Sequence, residues 1–118
     1  MSFRYLVAHR STVLIVLFGG ELQRNMTEIV KLCETEILGS PEERVILDYH
    51  QVVHIDDQAL ESISELHRAI RKKPSVLRVC SLKAPFSLKL QKLDTIQSHE
   101  ISESIEQAIR SLSFRRAG

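Results

Sequence analysis

The apolar positions of this chain form two alternating patterns: dense β-branched runs and longer stripes at helical spacing. The densest run, Thr12 to Phe18, has no polar break after its threonine. Apolar side chains at every position predict a strand buried on both faces, hence central in a sheet. Tyr5 to His9 precedes it across Arg10-Ser11, which predicts a short antiparallel hairpin. Gly19-Gly20 predicts a turn after it. Met26, Ile29, Val30, Cys33 and Ile37 then recur at helical spacing, with Gly39 as a stop and Pro41 beyond. Val45-Ile-Leu47 predicts a short strand ending in Asp48. Ala59, Leu60, Ile63, Leu66 and Ile70 form a second helical stripe, with Glu61, Glu65, Arg68 and Arg71 facing away. Val76 to Leu82 predicts another buried strand. Phe86, Leu90 and Leu93 predict a short helix opened by Pro85. Ile96 to His99 predicts a weak edge strand, and Ile101, Ile105, Ala108, Ile109 and Leu112 a final helix. The order is β-β-α-β-α-β-α-β-α. It implies an α/β fold: a mixed sheet with mostly parallel core strands and helices packed on it.

Composition narrows the function classes. At 118 residues the chain is expected to be a single domain, with a core over about 3–112 and a short basic tail over 113–118. It is 43% hydrophobic and 26% charged, which fits a globular protein rather than a disordered one. Sixteen basic against fifteen acidic residues leave a formal charge of +1, too little for a dedicated nucleic-acid or polybasic membrane surface. With no tryptophan and 5% aromatics, base stacking is not expected either. The longest apolar run, Val13 to Phe18, is far short of the roughly 20 residues that span a bilayer. No signal-peptide pattern opens the chain, so a cytoplasmic protein is expected. Cys33 and Cys80 sit in apolar surroundings and read as buried thiols, not as a disulfide or zinc framework.

Catalytic signatures are missing. There is no Gly-x-Gly-x-x-Gly after the first strand, no Walker loop, no Gly-x-Ser-x-Gly elbow and no His-Glu-x-x-His. No catalytic residue and no cofactor are expected. The richest segment runs from Val45 to Leu60. It predicts a strand ending at Asp48, a loop carrying His50 and His54, and an acidic pair opening the next helix. Asp56 is expected as the N-cap, its carboxylate accepting backbone N–H groups, and Asp57 in the first turn. His50, His54, Asp56 and Asp57 are metal-ligand types, but no helical i, i+4 pairing holds them, so no metal is expected. His9, His67 and His99 are scattered and expected at the surface. Arg71-Lys72-Lys73 and Arg115-Arg116 read as a solvated helix end and a frayed terminus.

Val45-Ile-Leu-Asp48, followed by His54-Ile-Asp-Asp-Gln-Ala-Leu60, resembles the STAS family, the sulfate transporter and anti-sigma factor antagonist domains. Gly20-Glu21-Leu22, Ala84-Pro85 and Ser104-Ile-Glu-Gln-Ala-Ile109 resemble the family's motifs after the second strand, at the third helix and in the closing helix. The resemblance covers nearly the whole chain and implies a STAS-like single domain. In that family the first serine after the motif's aspartate is phosphorylated by a partner kinase that is also an anti-sigma factor. The unmodified domain binds the kinase, and phosphorylation abolishes binding. Here Asp56 matches the family's aspartate, Asp57 stands at the phosphorylated serine, Gln58 at the second serine and Ala59 at the glycine.

The resemblance therefore implies a non-catalytic module that docks a serine-kinase anti-sigma factor or related signalling partner. The partner-binding residues it carries over are His54, Asp56, Asp57, Gln58, Ala59, Glu61 and Ser62. Asp57 cannot accept phosphate from a serine kinase; it is expected either to imitate the phosphorylated state in part, with one negative charge against the about −1.5 to −2 of a phosphoserine, or to fit a partner that never uses the switch. Ser62 and Ser64 are the substitute phosphosites to consider, both expected to face solvent. A transporter-complex STAS subunit working from the cytoplasmic face is the alternative. A phosphorelay receiver with Asp48 as acceptor belongs to another class. It requires a β-α-β start and a magnesium-holding acidic pair after the first strand, which Tyr5 to His9 does not supply.

Overall fold

The computed structural model describes residues 2–73, 76–93 and 96–117. Strands β1 (Arg4–Arg10) and β2 (Val13–Leu22) form the expected antiparallel hairpin, closed by Ser11 in the left-handed region at φ 54°. Helix α1 (Thr27–Leu38), β3 (Arg44–Ile55), α2 (Leu60–Lys72), β4 (Val76–Cys80), α3 (Ala84–Lys92), β5 (Ile101–Ser102) and α4 (Ile105–Ala117) follow. The sheet order is β1-β2-β3-β4-β5, with every pairing after the hairpin parallel. The described residues thus form a small α/β domain with a mixed five-stranded sheet and four α-helices. The β-α-β start of a receiver is absent.

Each face of the sheet has its own apolar cluster. On one side Leu14, Val16, Phe18, Val45, Leu47, Tyr49 and Val79 meet Val30, Cys33 and Ile37 of α1, Leu60, Ile63, Leu66 and Ile70 of α2, and Leu90 of α3. On the other, Ile15, Ile46 and Cys80 meet Ala108 and Leu112 of α4. The run Val13 to Phe18 is buried on both faces because it alternates between these two clusters. Both cysteines are buried free thiols whose pKa burial pushes up to about 12, so neither is a nucleophile at neutral pH.

Several boundaries depart from the sequence pattern. Gly19-Gly20 does not turn the chain; β2 continues to Leu22, with Gly20 at φ 87°, where a side chain would be strained. Strand β3 likewise runs past Asp48 to Ile55, so His50 and His54 lie on a strand rather than in a loop. Opposite Leu17 to Gly19, β3 spends three steps where β2 spends two, and a second slip follows at Gly20/Glu21. These bulges make Tyr49, Val52 and Ile55 the buried positions, a spacing of three that hides a strand.

The expected edge strand at Ile96 to His99 is displaced to Ile101–Ser102. Glu100 accounts for the shift. Its carboxylate takes the backbone N–H of Gln97 at 2.9 Å and pairs with the Arg71 guanidinium, folding Ser98–Glu100 into a 3-10 turn. Arg71 therefore does not face away, and Lys73 also turns inward, its Nζ donating to the carbonyls of Ile37 and Ser40. Ile101 belongs to this strand and not to the last helix. That helix starts at Ile105 because Ser104 Oγ accepts from Gln107 N–H at 3.1 Å, while Gln107 Oε1 accepts from Glu103 N–H at 2.6 Å. The helix runs on to Ala117 through the stretch read as a tail.

His9 and His99 are exposed, but His67 is fully buried. Its Nε2 shares a hydrogen with Tyr49 Oη at 2.9 Å, which lets an imidazole enter the core. Ser64 is also fully buried rather than solvent-facing, and its hydroxyl finds no partner among the described residues. A kinase cannot reach it.

Candidate functional site: the turn between β3 and α2

At the C-terminal edge of the parallel strands the chain leaves β3 at Ile55 and enters α2 only at Leu60. The four residues between are Asp56, Asp57, Gln58 and Ala59. The helix therefore opens later than expected, with Ala59 at the N-cap position and no side chain capping it. Asp56 is not the N-cap. Its backbone N–H donates to Leu22 O at 2.9 Å, and its carbonyl accepts from Ala59 and Leu60. Its carboxylate turns back across the sheet end, with Oδ2 accepting from Arg24 N–H at 3.3 Å and Oδ1 3.1 Å from His54 Nε2. Arg24 reaches forward in turn, donating from Nη1 to Gln58 Oε1 at 3.3 Å. Asp56 thus fastens the turn to the segment after β2, as a brace and not as a cap. Ala59 and Leu60 anchor it from below, both buried in the core.

Held this way, the turn presents Asp57 outward, with its side chain 78% exposed. Lys89 of α3 donates to Asp57 Oδ1 at 2.5 Å, and that contact holds the carboxyl below the usual aspartate range. At neutral pH the apex therefore carries an ionised carboxylate beside an ammonium group. Leu60, Glu61, Lys92 and Leu93 complete a groove of about 380 Å3 between α2 and α3 around this pair. Leu88 and Leu93 of the neighbouring surface are exposed large apolar side chains. The His54 ring stands edge-on to Phe86 of α3, centroids 6.1 Å apart.

The residues expected at the site are partly brought together. His54, Asp56, Asp57 and Gln58 share the turn and its braces. Glu61 lies on the groove wall and pairs with Arg68 at 3.3 Å, and Ser62 is half-buried in the first turn of α2. His50 lies apart, lining a different depression with Asp48, Ser81 and Glu103. Among the described residues no three His, Cys, Asp or Glu side chains come together as a metal set. Asp48 is buried, and desolvation raises its carboxyl pKa despite hydrogen bonds from His50 N–H and Ser81. Sequence reasoning missed Arg24, Phe86 and Lys89. Lys89 lies 32 residues from Asp57, and no spacing rule joins residues that meet only through the fold.

No protein-family model matches the chain, and no curated protein sequence does. Solved structures do. A serine-to-glutamate variant of RsbS from Moorella thermoacetica superposes with a TM-score of 0.79 at 10% identity, covering 98% of this chain and 99% of that one. An anti-sigma factor antagonist from Mycobacterium paratuberculosis gives 0.74 at 14% identity, covering 93% of each chain. A sulfate transporter family protein from Wolinella succinogenes gives 0.74 at 14% identity, covering 94% of this chain and 93% of that one. The fold is that of a STAS-like domain. Among the described residues no helix is long and apolar enough to cross a membrane.

Proposed function

We propose that this chain is a non-catalytic, cytoplasmic regulatory module that docks a protein partner through the turn and helix around Asp56 and Asp57. By its resemblance the partner is a serine-kinase anti-sigma factor or a related signalling protein. One observation carries the reading: an ionised, exposed carboxylate, Asp57, stands at the apex of a braced turn beside an apolar groove. The family resemblance puts a phosphorylatable serine at that position. A carboxylate places negative charge there permanently, with fewer acceptor oxygens than a phosphate and no kinase able to add or remove it. Lys89 offsets part of this charge from within the chain. The partner therefore meets a fixed apex that serine phosphorylation cannot switch.

The turn works by presentation. Asp56 and Arg24 hold the backbone so that the partner pays little ordering cost on docking. Leu88 and Leu93, both exposed, supply apolar contact, and Glu61 and Lys92 supply rim charge that selects between partners.

Affinity co-purification from the native host, with the unmodified chain beside Asp57→Ser, tests the reading. The expected result is recovery of an ATP-binding serine kinase, more strongly with Asp57→Ser. The superposition on a sulfate transporter family protein favours a second reading, a STAS subunit of a transporter assembly. Recovery of such an assembly, indifferent to Asp57→Ser, would replace the first reading with the second.

A further inference from the structure

The rim of the sheet opposite the Asp57 turn carries positive charge. At the N-terminal ends of the parallel strands, Arg10 closes β1, Val13 opens β2 and Arg44 opens β3. Arg10 is in register with Val13, and Val13 with Arg44, so the three side chains stand in one row on the face that α4 covers. Arg10 and Arg44 are thus two strand spacings apart, about 10 Å, with Val13 between them. Ile109 and Leu112 of α4 and the hairpin-turn residues Ser11 and Thr12 complete a pocket of about 290 Å3 around this row.

The charge in this pocket is uncompensated. Among the described residues no acidic side chain lines it. Arg44 is half-buried, and its Nη1 donates to Thr12 Oγ1 at 2.8 Å, which steadies the fork. Its other N–H groups, and those of the exposed Arg10, meet no carboxylate among the described residues. Glu42 and Glu43 line an adjoining depression with Pro41, and Glu42 is already engaged by His9 Nδ1 at 2.6 Å. Arg78, on the same face, is buried and held by Ser111 Oγ and the Leu77 carbonyl. Two guanidiniums facing one small pocket repel each other, and an anion seated between them turns that repulsion into attraction.

We propose that this pocket binds a small organic phosphate monoester, its phosphate between Arg10 and Arg44 and its carbon body on Val13, Ile109 and Leu112. The charges match: a phosphate monoester carries about −1.5 to −2 at neutral pH, against two guanidiniums. Its three terminal oxygens accept from both forks at once, whereas a carboxylate satisfies one fork and leaves the other arginine unmatched. Thr12 Oγ1 accepts from Arg44, so its own hydrogen is available to a phosphate oxygen, as is that of Ser11. Glu42 and Glu43 repel the anion from the adjoining depression and keep it on the Arg10 side of Arg44. The volume sets the size. Ligand pockets span about 300–1,000 Å3, and one at the lower end takes a single ring or short chain.

Amide-shift titration of the full chain with phenyl phosphate tests the site, with inorganic phosphate and benzoate as companion probes. Phenyl phosphate is expected to move the amides of Arg10 to Leu14, Arg44, Ile109 and Leu112, with a Kd at or below about 1 mM. It should bind at least about tenfold more tightly than benzoate, which lacks the second charge, and than inorganic phosphate, which lacks the carbon body. Arg10→Gln should weaken it about tenfold, and Arg44→Lys, which keeps the charge but not the fork, should weaken it as well. Arg110→Gln removes an exposed arginine of α4 outside the lining and should leave the affinity within about twofold. A dispersed spectrum of each variant confirms its fold. Benzoate binding as tightly as phenyl phosphate would overturn the assignment of the ligand. Inorganic phosphate binding as tightly would reduce the site to an adventitious ion only. An equal loss in Arg110→Gln, shifts confined to α2 and α3, or no shift at about 10 mM phenyl phosphate would overturn the site itself.

Discussion

Asp57 and Lys89 show how little of a site one residue defines. An exposed aspartate titrates close to its ordinary value unless something is fixed beside it. Here α3 brings an ammonium within 2.5 Å, and the carboxyl is held down mainly by that hydrogen bond and then by its charge. Removing the cation in Lys89→Ala should therefore raise the Asp57 pKa toward the ordinary range. Carbon-13 titration of the side-chain carboxyl measures it directly. An unchanged Asp57 midpoint in that variant would mean that the contact does not persist in solution. The sign for stability follows from the same direction. A depressed native pKa favours the fold above the unfolded value, and that contribution fades as pH falls through the native one. Both groups are well exposed, so salt should screen the effect strongly.

At the scale of elements, Arg71 and Glu100 join the end of α2 to the turn before β5. Burial alone would raise the Glu100 pKa, but the Arg71 guanidinium and the Gln97 N–H outweigh it and bring it below the usual range. The pair thus stabilises the fold above about pH 4.3, the ordinary glutamate value, and loses that contribution as pH falls through the native pKa. Arg71→Ala leaves a 9% exposed carboxylate without its cation. The expected cost is about 2–3 kcal/mol at neutral pH, below that of fully buried pairs because Arg71 is partly exposed. Urea unfolding at pH 7 and pH 4 checks this; the variant should lose less stability on acidification than the parent chain. Element order and type were legible in the sequence because α1, α2 and the Val13 to Phe18 run carry clean periodicities. Boundaries were not. Two bulges gave the end of β3 a spacing of three, and the Glu100 turn displaced β5, both consequences of tertiary contacts. The acidic turn carries a local motif in the sequence, while its braces at Arg24 and Lys89 have no local signal.

Across the whole molecule, stability and presentation are divided between the sheet centre and its C-terminal rim. Strands β2 and β3 are paired along most of their length and buried between two apolar clusters. Helix α3 has a single fully buried side chain, Leu90, yet it supplies Lys89 and one wall of the groove beside Asp57. A site formed between a rigid turn and a lightly anchored helix can adjust its width without disturbing the core. Hydrogen exchange should report this division as two tiers. Amides of Val16, Ile46 and Leu47 are expected to exchange slowest, through global unfolding. Amides of Ser87 to Gln91 should exchange through local opening, well before them. Lys89→Ala removes the tether to the turn, so it should speed the α3 amides about threefold while leaving the β2 and β3 amides unchanged. Equal acceleration of both tiers would make the tether part of global stability. Alpha-3 amides as slow as those of β3 would make that wall rigid, and the groove could not then adjust to its partner.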